Sequence, residues 1–336
     1  MQNSTINYEI LDYEMVHLAD DNLFIAHKAN KITYIDHGER QIISIPDEGL
    51  GWKKIFMPLR KSRRLLRLDK AMITPTSYGF VMCRFGNVYA YDISNKTWTK
   101  VDIQLNCRNP IYNALLNCES GIYIGEYGNK NGIGKKVFRS MDEGKTWSCI
   151  FQFDPDAIRH IHCLAWDPFE RKIWVFTGDD DENCRVLKAS PDFSEVEEIG
   201  SGSQKWRACH VIFTKDTVEW FMDCPLEEVR YIKYHRQTGN LEIGQEVAGP
   251  VWFAREYQDF ALAASAQEVG PSHKDKLLHL YRSTDHTHWD EIATFRHDGW
   301  PKSYFRFGTM TFARGNKVMI SCEGVKGLDG KTIRLK

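Results

Sequence analysis

Five arginines recur at nearly constant intervals: Arg108, Arg159, Arg207, Arg255 and Arg306 stand 51, 48, 48 and 51 residues apart in a chain of 336. A guanidinium is a planar fork suited to bidentate capture of a carboxylate or sulfate, so five brought to one pocket would read an acidic ligand. Groups able to move protons lie nearby. The run RHIHCLAWDP places His160 and His162 on one face of a strand by the two-residue period, with Arg159 and Cys163 on the other. Arg159 and His160 can then share a pocket only if the strand begins at His160 and Arg159 belongs to the preceding loop. GEYGN offers Glu126, Tyr127 and Asn129, TGDDDEN offers Asp179, Asp180 and Asp181, and MDCP offers Asp223. Trp206, Tyr304 and Glu323 complete the pocket candidates. Histidine, tyrosine and arginine together suit proton abstraction beside a carboxylate, and paired carboxylates suit glycoside hydrolysis.

His-x-His can be a metal pair, yet no third ligand is set by spacing, so no metal site is expected. The acidic run 179–182 could hold Ca²⁺ through oxygen ligands, although it lacks the spacing of an EF-hand loop. No other cofactor is expected.

The arginine interval is also the interval of a structural repeat. An apolar strand, a polar turn, a second strand, a turn rich in Ser, Asp and Gly, and a strand opening near Trp recur along the chain. VFRSMDEGKTWSCI is the fullest copy, LYRSTDHTHWDEI, LKASPDFSEVEEI and AYDISNKTWTKV are partial ones, and the segments around Asp36, Leu241 and the C-terminus are weaker. The anchors Ile42, Trp98, Trp147, Val196, Leu241 and Trp289 lie 56, 49, 49, 45 and 48 residues apart. About four short strands fill such a period, which is the length of one propeller blade. Runs such as KIWVFTG and VEWFMD are continuously apolar or alternating, as strands buried between neighbours are, and helical periodicity is missing. The fold class expected is all-β: a single closed β-propeller over residues 1–336 with seven four-stranded blades, six being the alternative count. The blades fall near 15–50, 51–104, 105–153, 154–202, 203–248, 249–298 and 299–336. Residues 7–13, which have no hairpin partner, complete the last blade as its outer strand and remove the open sheet edges. The innermost strands should begin near Tyr112, His160, Arg207, Phe253 and Tyr304, where each arginine would enter the pocket.

Composition agrees with a soluble globular protein: hydrophobic residues make up 42% and charged residues 26%. With 44 Lys and Arg against 45 Asp and Glu, the net charge of −1 gives no electrostatic case for nucleic acid or an anionic membrane. No run approaches the length of a membrane helix, so no membrane insertion is expected. The nine cysteines are odd in number and never form CxxC, which points to reduced core thiols. MQNSTINYEILDYEM lacks a basic segment followed by an apolar one, so the cytoplasm is the expected location, with an extracellular or periplasmic one if the chain is a mature form.

The S-x-D-x-G-x-T-W of Ser140, Asp142, Gly144, Thr146 and Trp147 resembles the Asp-box, or BNR repeat, of the sialidase-like propellers. That resemblance implies a box on the turn between the third and fourth strands, remote from the ligand face, with its Trp buried between sheets. Propellers of this kind include sialidases, other glycosidases, polysaccharide lyases and non-catalytic binding proteins. Sialidases carry an early Arg-Ile-Pro motif, and MPLRKSRRLLRL, with Arg60, Arg63, Arg64 and Arg67, does not supply it. The first expectation is therefore a lyase acting on an acidic oligo- or polysaccharide by β-elimination. Related propeller lyases use His, Tyr and Arg, which implies His160 or His162, Tyr127, and Arg207 with Arg255. The alternatives are a sialidase-like hydrolase, with Glu126, Asp179, Asp180, Asp223 and Glu323 as candidate carboxylates, and a propeller that binds a glycan or protein without chemistry.

Overall fold

The computed structural model describes residues 6–128 and 132–336. Seven four-stranded antiparallel sheets follow one another along the chain, which is the architecture of a seven-bladed β-propeller. Each sheet keeps chain order from its first strand to its fourth, except the last, which takes Tyr8–Leu11 as its outer strand. Ile10 there pairs with Ile333 and Leu11 with Thr332, so the N-terminal strand closes the final blade.

The burial of each strand follows its place in the sheet. Second strands are mostly apolar and well covered: Gly79–Arg84 and Thr217–Phe221 are buried at every residue, including Arg84 and Glu219. Fourth strands are edges, and Val196–Ser201 is exposed and charged, which discourages pairing with another chain.

Residues 71–224 and 230–244 form one compact unit. Its blades begin with Met72–Thr76, Leu115–Cys118, His160–Asp167 and Ile212–Phe213. Its core joins Val81, Val88, Ile122, Ile124 and Phe138, and, farther along, Tyr123, Val137, Ile161, Ile173 and Val175. The fullest copy of the Ser-x-Asp repeat lies here, between Lys136–Ser140 and Ser148–Gln152. Asp142 Oδ1 accepts from the Thr146 amide at 2.8 Å and from Ser140 Oγ at 2.8 Å, while Oδ2 accepts from Thr146 Oγ1 at 2.6 Å. Gly144 has φ +91, and a Cβ there would overlap the Val81 side chain of the neighbouring sheet. Trp147 donates to the Gly144 carbonyl and is only half-buried, not enclosed as expected, because its ring lies along the edge of the core.

Residues 1–70, 225–229 and 245–336 form the other unit. Its blades begin with Met15–Ala19, Val251–Glu256 and Thr309–Phe312, and its core is built from Leu262, Leu278, Leu280, Phe295, Met310, Ile320 and Ile333. The second copy of the repeat, Ser283 to Trp289, is here. Asp285 Oδ1 accepts the amides of Thr287 and His288 at 2.8 Å each, and Trp289 is 2% exposed.

The arginine-rich segment of this unit is a helix, Arg60–Leu66, with Arg63 and Arg64 buried. Arg63 pairs with Glu14, Arg60 with Asp69 and Asp329, and Arg64 with Asp298 at 2.5 Å, while Lys70 pairs with Glu323. Glu323 is thereby an ion-pair partner of Lys70, and Arg60, Arg63 and Arg64 are each paired with carboxylates.

All nine cysteines are free, seven of them buried. Among the described residues no helix is long and apolar enough to cross a membrane.

Candidate functional site

Blade four begins its first strand at His160, so Arg159 stays in the loop and both can turn to one place. His160 pairs with Gly178, the last residue of the second strand, and Asp179 follows directly above the two histidines. A bulge between Ile161 and Cys163 makes His162 the extra residue of its strand, which re-aims the ring. Gly178 allows this closeness, since a Cβ there would stand 2.8 Å from His162 Cε1 and 3.0 Å from Arg207 Cγ. Arg207 caps the short helical turn Gln204–Trp206, and the Asp223 amide donates to its carbonyl at 2.9 Å, which fixes Asp223 beside it.

Asp179 is the hub. Its Oδ1 lies 3.2 Å from His162 Nε2 and 3.5 Å from Arg207 Nη2, and its Oδ2 lies 3.4 Å from both His160 Nε2 and Arg159 Nε. Burial alone would raise its pKa, but the hydrogen bond from His162 and the charges of His162, Arg207 and His160 outweigh that and hold it well below the carboxylate range. Burial also lowers His160 to about 4 against the upward pull of Asp179. The Tyr127 ring stacks on His160 at 3.9 Å and 17°, and His162 lies beside the pair, 6.2 Å from His160 and 6.1 Å from Tyr127. His160 Nδ1 has no hydrogen-bond partner among the described residues.

Below the hub a second set converges. His162 Nδ1 is 3.7 Å from Cys209 Sγ and 3.5 Å from Asp223 Oδ2, and Cys209 Sγ is 3.2 Å from the same oxygen. These three side chains are the set with metal-ligating geometry among the described residues. Burial and the Asp223 charge push the Cys209 thiol far up, so it is protonated and donates to Asp223.

The other predicted residues are distributed differently. Asn129 lies outside the described residues. Glu126 is fully buried, and its carboxylate accepts the amides of Asn106 at 2.6 Å and Lys136 at 3.0 Å, so it braces loops and is not available for catalysis. Asp180 is exposed beside Arg159 at 3.6 Å, and Asp181 accepts from Gln204 at 2.8 Å, so the acidic run has protein partners where Ca²⁺ was considered. Trp206 packs on Gly200 and Trp220. Of the five periodic arginines, Arg159 and Arg207 meet at Asp179. Arg108 is exposed and lies over the Phe85 ring at 5.0 Å. Arg255 is the fifth residue of its strand, at the turn end, and donates to the Gly315 carbonyl at 3.3 Å. Tyr304 and Arg306 belong to the helix Lys302–Phe305 and its C-cap, before the last blade begins at Thr309, and Tyr304 is exposed.

Cys209 and Gln204 escaped the sequence reading. The signal for Cys209 was its place two residues after Arg207 in RACH, a spacing that repeats His160 and His162 one blade earlier. A cleft of about 580 Å³ lined by Ser77, Asn117, Glu119, Arg139 and Glu143 opens elsewhere in this unit, beside the turn that follows Ser140.

No family model matches the sequence, and no curated protein matches it. Among solved structures, a putative 6-phosphogluconolactonase from Bacteroides fragilis is similar at 12% identity and a TM-score of 0.52, over 91% of this chain and 86% of that one. The extracellular domain of a putative hybrid two component system from B. thetaiotaomicron is similar at 11% identity and a TM-score of 0.55; the match covers 99% of this chain and 40% of that one. At these identities the likeness is one of fold alone.

Proposed function

We propose that the Asp179 site takes a carboxylate-bearing glycan and cleaves it by β-elimination. The observation that carries this reading is the Tyr127 ring stacked at 3.9 Å on His160, beside a carboxylate that Arg159 and two histidines already surround. Donors that hold Asp179 are arranged for a carboxylate. Arg159 is half exposed and faces solvent beside Asp180, so an incoming uronate can exchange with Asp180 as its partner. In the reaction one of the Tyr127–His160 pair removes the proton next to the uronate carboxylate, and the electron pair forms the new double bond. The bond to the glycosidic oxygen at the neighbouring carbon breaks, and the other member of the pair protonates that oxygen. Arg159 neutralises the charge that builds on the carboxylate.

The engagement of Asp179 by all four groups favours a second reading, glycan binding without cleavage. The test is incubation of the full chain with a panel of acidic polysaccharides and their carboxyl-reduced analogues, following ultraviolet absorbance of unsaturated ends and reducing ends together. Both signals rising supports elimination. Reducing ends alone make the protein a hydrolase, saturable binding without either makes it a binding propeller, and no binding overturns the reading.

A further inference from the structure

We propose that His162 Nδ1, Cys209 Sγ and Asp223 form a binding site for one divalent ion of the zinc class. The inference stands apart from the glycan reading, because it uses the atoms beneath Asp179.

The spacing is that of a coordination polyhedron. Zinc bonds of about 2.0–2.3 Å to nitrogen, oxygen and sulfur at tetrahedral angles set ligand atoms about 3.3–3.6 Å apart. Here the three edges are 3.7 Å from His162 Nδ1 to Cys209 Sγ, 3.5 Å from Nδ1 to Asp223 Oδ2, and 3.2 Å from Sγ to Oδ2. All three residues are buried, at 2%, 7% and 2% exposure.

The surroundings supply a second, independent observation. A ligating imidazole is normally steered by a carboxylate on its other nitrogen, and His162 Nε2 faces Asp179 Oδ1 at 3.2 Å. Asp223 is steered by Arg207 Nε at 3.3 Å from Oδ2, while its Oδ1 is buried with no hydrogen-bond partner among the described residues. A buried carboxylate oxygen left so costs stability unless something occupies it. Oδ2 can hold the ion as well as Arg207, or Oδ1 can turn to the ion while Oδ2 stays with Arg207.

Charge balances as well. The thiolate and the Asp223 carboxylate neutralise a divalent ion, and Arg207 is matched by Asp179. Binding displaces the thiol proton to solvent, one proton per ion. A thiolate, an imidazole and a carboxylate form a set too soft for Ca²⁺ or Mg²⁺ and suited to Zn²⁺ or Co²⁺. Three protein ligands leave one position for solvent or a bound molecule.

The experiment is titration of the chelator-stripped full chain with Co²⁺, read in the visible and near-ultraviolet. One equivalent should give tetrahedral ligand-field bands with a thiolate charge-transfer band, and Zn²⁺ should bleach both. Cys209→Ser, nearly isosteric and so expected to fold, should lose the charge-transfer band and bind at least about tenfold more weakly. Asp223→Asn should weaken binding while keeping that band, and circular dichroism reports whether it folds. Absence of stoichiometric binding by the folded wild-type chain, or a charge-transfer band that survives in Cys209→Ser, overturns the proposal.

Discussion

Gly178 lies against the His162 ring so closely that a methyl group would stand 2.8 Å from Cε1, with Arg207 Cγ 3.0 Å away on its other side. This one hydrogen side chain lets the second strand of its blade end directly beneath Asp179. Gly178→Ala should therefore displace His162 or Arg207. The expected cost is on the order of 1–3 kcal/mol, as for other overpacked positions, with a matching loss of Co²⁺ affinity. Urea denaturation and Co²⁺ titration measure the two effects, and an unchanged affinity would show that the site has room to spare.

The Tyr127–His160 stack leads to a paired prediction. Tyr127→Phe and His160→Gln should each slow elimination about 10²- to 10⁴-fold, the usual range for one proton-transfer group, while glycan binding changes little. Single-turnover rates and equilibrium binding on the same oligosaccharide separate the two. If binding falls in step with rate, the stack is a sugar platform only.

The blade period made most of the fold legible, and the reason is local. Second strands are mostly apolar runs, and the Ser-x-Asp clusters mark turns between third and fourth strands, as Ser190 and Asp192 do at 2.7 Å. The same period put Arg159, His160, Asp179, Arg207 and Asp223 near one another, because strand starts and second-strand ends fall on one side of a blade. It failed for Arg255, since a shift of a few residues moves a side chain to the other end of a strand. Arg306 stands before the first strand of the last blade, as the C-cap of a helix that the period did not reveal. The bulge at His162 has no sequence marker, and Cys209 reads as any core thiol until Asp223 is seen beside it. Helix Arg60–Leu66 was hidden because its buried arginines look like surface residues until their carboxylate partners, distant in sequence, are in place.

Arg159 and Arg207 should part company under mutation. Arg207 is buried and is shared by Asp179 and Asp223, so Arg207→Ala leaves the buried Asp223 without its guanidinium and Asp179 with Arg159 and the histidines, and should cost about 3–5 kcal/mol. Arg159 has a half-exposed side chain, and Arg159→Ala should leave stability nearly unchanged while weakening uronate binding by about 1.5–3 kcal/mol, the scale of a hydrogen bond to a charged group. Carboxyl-reduced ligands should be indifferent to Arg159→Ala. Thermal melts with binding titrations on both ligand classes decide it, and equal losses on the two classes would remove Arg159 as the reader of the anion.

The two repeat tryptophans, Trp147 and Trp289, should differ as their burial does. Trp289 is 2% exposed, and Trp289→Ala should cost about 3–5 kcal/mol as a large-to-small core change. Trp147 is half-buried and should cost clearly less. Denaturant midpoints of the two variants test the order, and the reverse order would mean that the Gly144 turn depends on the Trp147 Nε1 hydrogen bond more than on packing.

Acid should weaken the unit that holds Asp69. Burial raises the pKa of this carboxyl, but the positive charges of Lys70 and Arg60 and the hydrogen bond from Arg60 outweigh it and bring the group to about 2. An unfolded Asp titrates near 3.9, so the native state holds the ionised form preferentially by about 2–3 kcal/mol. The sign follows from the depressed folded value. The stabilisation is complete above about pH 4 and is lost as pH falls through about 2, where the native carboxyl takes up its proton. Asp69→Asn removes that dependence and also leaves Arg60 with Asp329 and Glu14 as its remaining partners. Its urea midpoint should be lower than wild type at pH 7 and converge with it near pH 2, and parallel pH profiles for the two proteins would show that another carboxylate governs the acid limb.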